Sequence, residues 1–290
     1  MLSPVKAKKP CESPPCRAGG TAGSSSSPHI FREKEAISVQ LTLKMLLIVC
    51  PLLFLTGFVD SIAGGGGLIS LPAYVLAGLP IHTAIGTNKL SSACGTTLTT
   101  VRFIRRGLVN WKLGIPGAAA ALVGSALGSR LSLVTDERVM RTILFIILPL
   151  AAFVVLNRRL FPENDSETVT ADRRTLLVCV TAALTIGFYD GFYGPGTGTF
   201  LIIAFSVFAR LGVKPANAHA KVINLTTNLT SLVVFLRGGT VLVSLGLVGA
   251  ACNMLGNWVG SGLALEKGAK ITRPIILAVL LLLFIKLLTE

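Results

Sequence analysis

The sequence predicts an all-α polytopic membrane protein of two inverted homologous repeats, with about 8–10 transmembrane segments that include short, glycine-interrupted or re-entrant helices. Three observations carry this expectation. Of 290 residues, 52% are hydrophobic and only 14% charged, where a soluble domain averages about 25% charged. Long apolar runs recur, at 45–55, 113–133, 139–156, 176–188 and 275–288, several approaching the roughly 20 residues that cross a hydrocarbon core. They do not alternate polar with apolar positions, as a transmembrane β-barrel would require. Finally, the second half of the chain repeats the first at an almost constant offset.

In chain order, residues 1–44 come first. They are rich in Ser, Pro, Gly and Lys without apolar periodicity, and read as a disordered tail. No small-residue cleavage site follows the first apolar segment, so the tail is not an ordinary signal peptide. It reads as a targeting extension or as an upstream start, with Met45 able to serve as initiator. A first transmembrane repeat is expected over 45–156, a polar linker over 157–174 and a second repeat over 175–290. The net charge of +14 lies in the loops between apolar runs. It therefore reports orientation and contact with anionic headgroups rather than nucleic acid. Cys50, Cys94, Cys179 and Cys252 fall within apolar runs and read as small buried hydrophobes.

The repeat is anchored by GFVDSIAGGGG at 57–67 and GFYDGFYGPGTG at 187–198. Asp190 follows Asp60 by 130 positions, and Gly57/Gly187, Phe58/Phe188, Gly64/Gly194 and Gly66/Gly196 keep that offset. Further on the offset is 132, through Ala84/Ala216, Lys89/Lys221, Phe103/Phe235, Arg105/Arg237, Gly107/Gly239, Gly124/Gly256 and Gly128/Gly260. Suppose each glycine stretch joins two crossings or forms a re-entrant tip. One side then collects Arg102, Arg105, Arg106, Lys112, Arg158, Arg159, Arg173, Arg174, Arg210, Lys214, Lys267, Lys270 and Arg273. The other keeps Lys44, Arg130, Arg138, Arg141, Arg237 and Lys286. The Lys/Arg-rich side is the cytoplasmic one. Each half then has an odd number of segments, which inverts one relative to the other and places the N-terminus outside.

Glycine-interrupted segments at matching places in inverted repeats point to a transporter's binding site. Backbone inside a bilayer must satisfy its own hydrogen bonds unless it lines a wet cavity. Gly64, Gly65, Gly66 and Gly67, and Gly194, Gly196 and Gly198, are expected to end one helix and begin another, leaving N–H groups and the positive end of a helix dipole to receive an anion. Lys89 and Lys221, symmetry mates near the heads of their helices, are the expected cationic ligands, with Asn88 and Asn224 as polar companions. A cation at membrane depth is a functional candidate; the plainer reading is a side chain reaching back to the interface. Asp60 and Asp190 read as counter-charges or coupling groups, against the plainer reading that each caps the next helix. Gly117, Gly124 and Gly128, like Gly249, Gly256 and Gly260, read as packing positions. His219 is a further candidate for proton handling. No cofactor or metal is expected.

The stretches GFVDSIAGGGGLISLPA, GTNKL, FIRRGLVN, GFYDGFYGPGTGTF and AHAKVINLTTN resemble the sulfite exporter TauE/SafE family, in its large branch of probable membrane transporters, over about 45–288. The resemblance implies an integral inner-membrane permease for anions, in several members sulfur-containing ones such as sulfite or sulfonates. Residues 1–44 have no counterpart in the family pattern.

Two rival classes use the same residues. An anion channel would exploit the same dipoles and differs by carrying large passive conductance instead of saturable, gradient-coupled flux. An intramembrane aspartyl protease would pair Asp60 with Asp190, but the second Asp lacks a GxGD setting and the two contexts are copies rather than complements. ATP-driven transport is not expected, since the chain has no GxxxxGK[ST]. The expected partners are a small anion, the lipid bilayer and a proton as coupling ion. Direction of transport and oligomeric state are not written in the sequence.

Overall fold

A computed structural model describes residues 43–140, 142 and 172–267. The tail, most of the linker, the apolar run at 275–288 and nearly all of that at 139–156 lie outside these residues. Besides a short helical stretch at 137–140, the described residues form eight helices, each half repeating one order of long, short, long and long. The first half holds α1 (Leu43–Ala63), α2 (Gly67–Leu76), α3 (Ile81–Arg105) and α4 (Trp111–Val134). The second holds α5 (Arg173–Phe192), α6 (Thr197–Ile203, continued by a π-turn over Ala204–Phe208), α7 (Val213–Arg237) and α8 (Val243–Lys267). Among the described residues four stretches are long and apolar enough to cross a membrane: Met45–Ala63, Trp111–Val134, Arg173–Phe192 and Val243–Glu266. The 25-residue helices α3 and α7 have the length but carry the polar and charged candidates.

Local chemistry sets the boundaries. Asn110 and Asp172 cap α4 and α5, their side chains accepting from the N–H groups of Lys112 and Thr175. The Thr175 contacts hold the exposed Asp172 carboxyl below its ordinary pKa. α3 and α7 end alike: Leu108 N–H donates to Phe103 O and Thr240 N–H to Phe235 O, across Gly107 and Gly239. At the turn before α7 the halves differ. Arg210 adopts a φ of +55° where the first half has Gly78 at +91°.

Packing crosses between the halves. Gly256 and Gly260 of α8 lie against the backbone of α1 at Phe54 and Phe58, and Gly124 and Gly128 of α4 lie against α5 at Leu184 and Phe188. A methyl group at any of the four would collide with a main-chain carbonyl of the partner helix. In lipid, where apolar burial gives helices no reason to associate, such close approach is a main source of adhesion. Gly117 and Gly249 instead meet the side chains of Ile223 and Tyr74. Matching hydrogen bonds repeat the exchange: Thr99 donates to Asn257 at 2.7 Å, and its repeat mate Ser231 meets Ser125, the mate of Asn257, also at 2.7 Å.

These contacts also fix direction. Gly86 meets Thr240, Gly95 meets Asn253, and Arg102 donates to Trp258 O, so α3 and α8 are parallel. By the same reasoning α1 is parallel to α8 and α5 to α4. α3 and α7 run antiparallel, with Gly86 beside Phe235 and Thr100 donating to the carbonyl of Lys221. The outward faces of α4 and α8 carry exposed Ile115, Leu122, Leu127, Leu247, Leu255 and Trp258, as helices in contact with lipid should. Inside, one apolar cluster gathers Ile62, Phe103, Val222 and Ala264, and another gathers Leu53, Tyr74, Ile85 and Phe235. A polar layer lies between them.

Candidate functional site

That layer is made where α3 and α7 cross. Asn88, Ser92 and Thr96 are spaced one turn apart on α3, and Asn224 and Asn228 likewise on α7, so each helix turns a single polar face to the crossing. All five line a cavity at mid-helix, closed on its other sides by Asp60, Gly64 and Gly67 from the first glycine break and Asp190, Gly194, Thr197 and Gly198 from the second. The free space is about 20 Å³, room for a water molecule but not for an oxyanion.

Two ion pairs bound it, and both cross between the halves. Lys221 of α7 donates to Asp60 of α1 at 2.7 Å, and Lys89 of α3 meets Asp190 of α5 at 3.0 Å. The lysines are 0% and 2% exposed, so neither reaches an interface. Charges taken this far from water survive only as hydrogen-bonded pairs. The carboxylates bond to side chains, Asp60 to Lys221 and Asp190 to Lys89 and Thr197, rather than serving as caps of the helices that follow.

The breaks themselves touch. Gly64, at φ +74°, ends α1 by donating to Asp60 O at 2.8 Å, and Gly194, at +100°, follows the end of α5. These angles are open to glycine at little cost, and they turn the chain directly below each Asp. Gly64 packs on Gly198 backbone to backbone, while Gly67 faces Gly194 and Pro195. Gly66 leaves room for Asp60: a Cβ there would lie 2.6 Å from the Asp60 Cβ. Neither α2 nor α6 has a side-chain cap on its first turn.

Of the residues expected at the site, Asp60, Gly64, Gly67, Asn88, Lys89, Asp190, Gly194, Gly198 and Asn224 line the cavity. Lys221 reaches it only through Asp60, and Gly65, Gly66 and Gly196 shape the breaks without lining the space. Asn228, polar within an apolar run like Asn88 and Asn224, lines it too, and Ser92, Thr96 and Thr197 are additional. The first two were open to discovery, because Ser92 and Thr96 are the repeat mates of Asn224 and Asn228 at the offset of 132. His219 stands apart: it accepts from Asn110 N–H at 3.1 Å, and its other ring nitrogen meets Pro215 O at 2.8 Å. It ties α7 to the turn between α3 and α4.

The two half-sites are not equal. Asp190 Oδ1 takes both the Lys89 ammonium and the Thr197 hydroxyl, at 2.8 Å, while Oδ2 is buried with no hydrogen-bond partner among the described residues. Thr96 Oγ1, which also lines the cavity, is in the same position. Asp60 has Gly67 where Asp190 has Thr197, so no hydroxyl reaches it. Instead the end of α1 is held by the second half. Asn217 donates to Ser61 O and Ile62 O at 3.1 and 3.2 Å, and Thr199 to Ala63 O at 2.8 Å.

The family model described as sulfite exporter TauE/SafE matches residues 49–287. A probable membrane transporter protein, ORF9, of a Sinorhizobium species is 40% identical over 238 residues, covering 82% of this chain and 90% of the relative. The probable membrane transporter protein YfcA of Escherichia coli K12 is 37% identical over 257 residues, covering 86% and 94%. A probable membrane transporter protein of Haemophilus influenzae is 35% identical over 237 residues, covering 80% and 90%. No solved structure matches the chain.

Proposed function

The chain belongs to the sulfite exporter TauE/SafE family of membrane proteins, and from that premise we propose that it is a secondary transporter of a small anion, a sulfur oxyanion such as sulfite or a sulfonate, in the cell inner membrane. The observation that carries the reading is the pair of crossed Lys–Asp contacts around a polar cavity at mid-helix. A lysine held there by a carboxylate of the opposite half is poised to exchange that carboxylate for an anionic substrate. Asn88, Ser92, Thr96, Asn224 and Asn228 supply neutral hydrogen-bonding groups suited to oxyanion oxygens. Gly67, the first residue of α2, also lines the cavity and brings the positive end of that helix's dipole to it.

A cavity too small for its substrate has to open. Rocking of one half against the other, with the crossed pairs as the contact that breaks and remakes, would expose the site to each side in turn. The antiparallel run of α3 and α7 supports inverted repeats, because the relation between the halves then reverses helix direction. The closed cavity favours a carrier over an anion channel.

The test is uptake by proteoliposomes of labelled sulfite, sulfoacetate, taurine, sulfate and a carboxylate control. We expect saturable flux of at least one sulfur anion, abolished by Lys89→Ala with Lys221→Ala and retained when the exposed pair Arg105 and Arg106 is changed to Gln. Equal loss in both double variants would sink the role of the lysines. Large non-saturating conductance would make the protein a channel.

A further inference from the structure

Counting charge at the cavity leads to a coupling mechanism. Two lysines and two aspartates bound it, and they sum to zero. The site is therefore balanced before any substrate arrives, and a monoanion on Lys89 would leave one uncompensated negative charge in a space from which water is nearly excluded. A buried charge without a partner is the state proteins avoid most consistently. Either the anion does not bind, or a positive charge enters with it.

We propose that one proton enters with a monoanionic substrate and is carried on Oδ2 of Asp190. The inference rests on the transporter reading and adds its coupling ion and the residue that bears it. The two aspartates are distinguished by geometry. Oδ1 of Asp190 is committed to Lys89 and Thr197, while Oδ2 is buried and unpartnered among the described residues, on a residue 2% exposed that lines the cavity. An ionised oxygen in that state is the natural seat for a proton. Once protonated, the group keeps its Thr197 bond through Oδ1, can donate from Oδ2 toward the bound anion, and releases the Lys89 ammonium to the substrate. The proton adds to a carboxylate lone pair, no covalent bond to the substrate forms, and the loaded site is again neutral.

Among the described residues, the groups around Asp190 leave no other carrier for this step. α3 brings Lys89, and Lys221 and Asp60 sit across the cavity as a closed pair. α4 meets this part of α5 with Gly128 and Ser125, and α6 with its π-turn has no ionisable side chain. α7 contributes Asn224 and Asn228, its His219 being engaged with Pro215 and Asn110. α5 itself adds Tyr189, whose hydroxyl donates to Pro195 O, and Tyr193.

The experiment is anion binding to the purified full chain across a pH series, with sulfite, sulfoacetate, sulfate, methanesulfonate and acetate as probes, and proton uptake read by calorimetry in buffers of different ionisation enthalpy. Binding of the anion favours the protonated form, so affinity falls as pH rises. For a monoanion whose own charge is constant we expect about a tenfold loss of affinity per pH unit wherever one proton is taken up per anion. Infrared difference spectra should show a protonated carboxyl band on binding. Asp190→Asn should bind without pH dependence, lose the band and no longer accumulate substrate under a proton gradient. The wild-type slope is independent of whether the variant folds. Saturable binding with a flat pH profile and no proton uptake would overturn the coupling and leave the transporter standing. A slope kept in Asp190→Asn would overturn the assignment to Asp190. Failure of every probe to bind would remove both readings together.

Discussion

The two half-sites began as copies and now do different things with the same charges. Around Asp60 the structure is tied down: one bond to Lys221 at 2.7 Å, and the last turn of α1 clasped by Asn217 and Thr199 from the opposite half. Around Asp190 it is poised: a longer contact to Lys89, a hydroxyl from Thr197, and one carboxylate oxygen with nothing to bond among the described residues. Asn217 has Ile85 as its mate, and Thr197 has Gly67. Each of these contacts is therefore present in the second half alone. Under the proposed mechanism the Asp60 pair acts as a fastener and the Asp190 pair is the one that exchanges its partner.

That contrast can be broken at the fastener with the largest effect. Asp60→Ala strands Lys221, which is 0% exposed, and is expected to cost about 3–5 kcal/mol of stability in a detergent unfolding titration. Replacing the pair together, Asp60→Leu with Lys221→Met, should recover most of that loss. A double replacement as unstable as the single would mean the pair holds more than its own charge. A smaller effect separates the breaks. Gly66→Ala forces Asp60 and the Thr56 carbonyl aside, whereas Gly194→Ala presses on Asp190 Oδ1 and Lys89 Nζ at 3.0 and 3.1 Å and strains a φ of +100°. Each should cost about 1–3 kcal/mol, but Gly194→Ala should also shift the pH profile of anion binding, which Gly66→Ala should leave in place. The smallest effect is a gain. Arg210→Gly relieves a φ of +55° that the first half avoids with Gly78, and a rise of about 0.5–1 kcal/mol is expected; no rise would place the strain elsewhere.

Much of this was legible in the residues. The offsets of 130 and 132 identify the mates, and glycine runs beside an Asp in apolar sequence mark the breaks because few other residues turn a chain there. The lysines stand out because their cost at membrane depth demands a reason. Which Asp meets which Lys was not legible. Each lysine finds the carboxylate of the other half, a consequence of α1 packing on α8 and α5 on α4, and sequence spacing within one half carries no trace of that interleaving. Ser92 and Thr96 were hidden for a different reason: hydroxyl residues are ordinary in membrane helices, and only their register with Asn224 and Asn228 singles them out. Asn217 has only an apolar mate, Ile85, and its bonds to Ser61 and Ile62 depend on where α7 happens to start.

The crossed pairing also imposes a schedule on biosynthesis. Lys221 lies 161 residues beyond Asp60, which at translation rates of 5–20 residues per second is a delay of roughly ten to thirty seconds. For most of that interval both Asp60 and Lys89 have been made without the partners they keep in the finished protein. The nascent first half has to shelter both charges, by holding them against each other, by leaving them neutral, or by lingering beside the insertion machinery until the second half arrives. A chain stalled between its halves would then be an unfinished membrane protein with two exposed ionisable groups, which is a signal a quality-control protease can read.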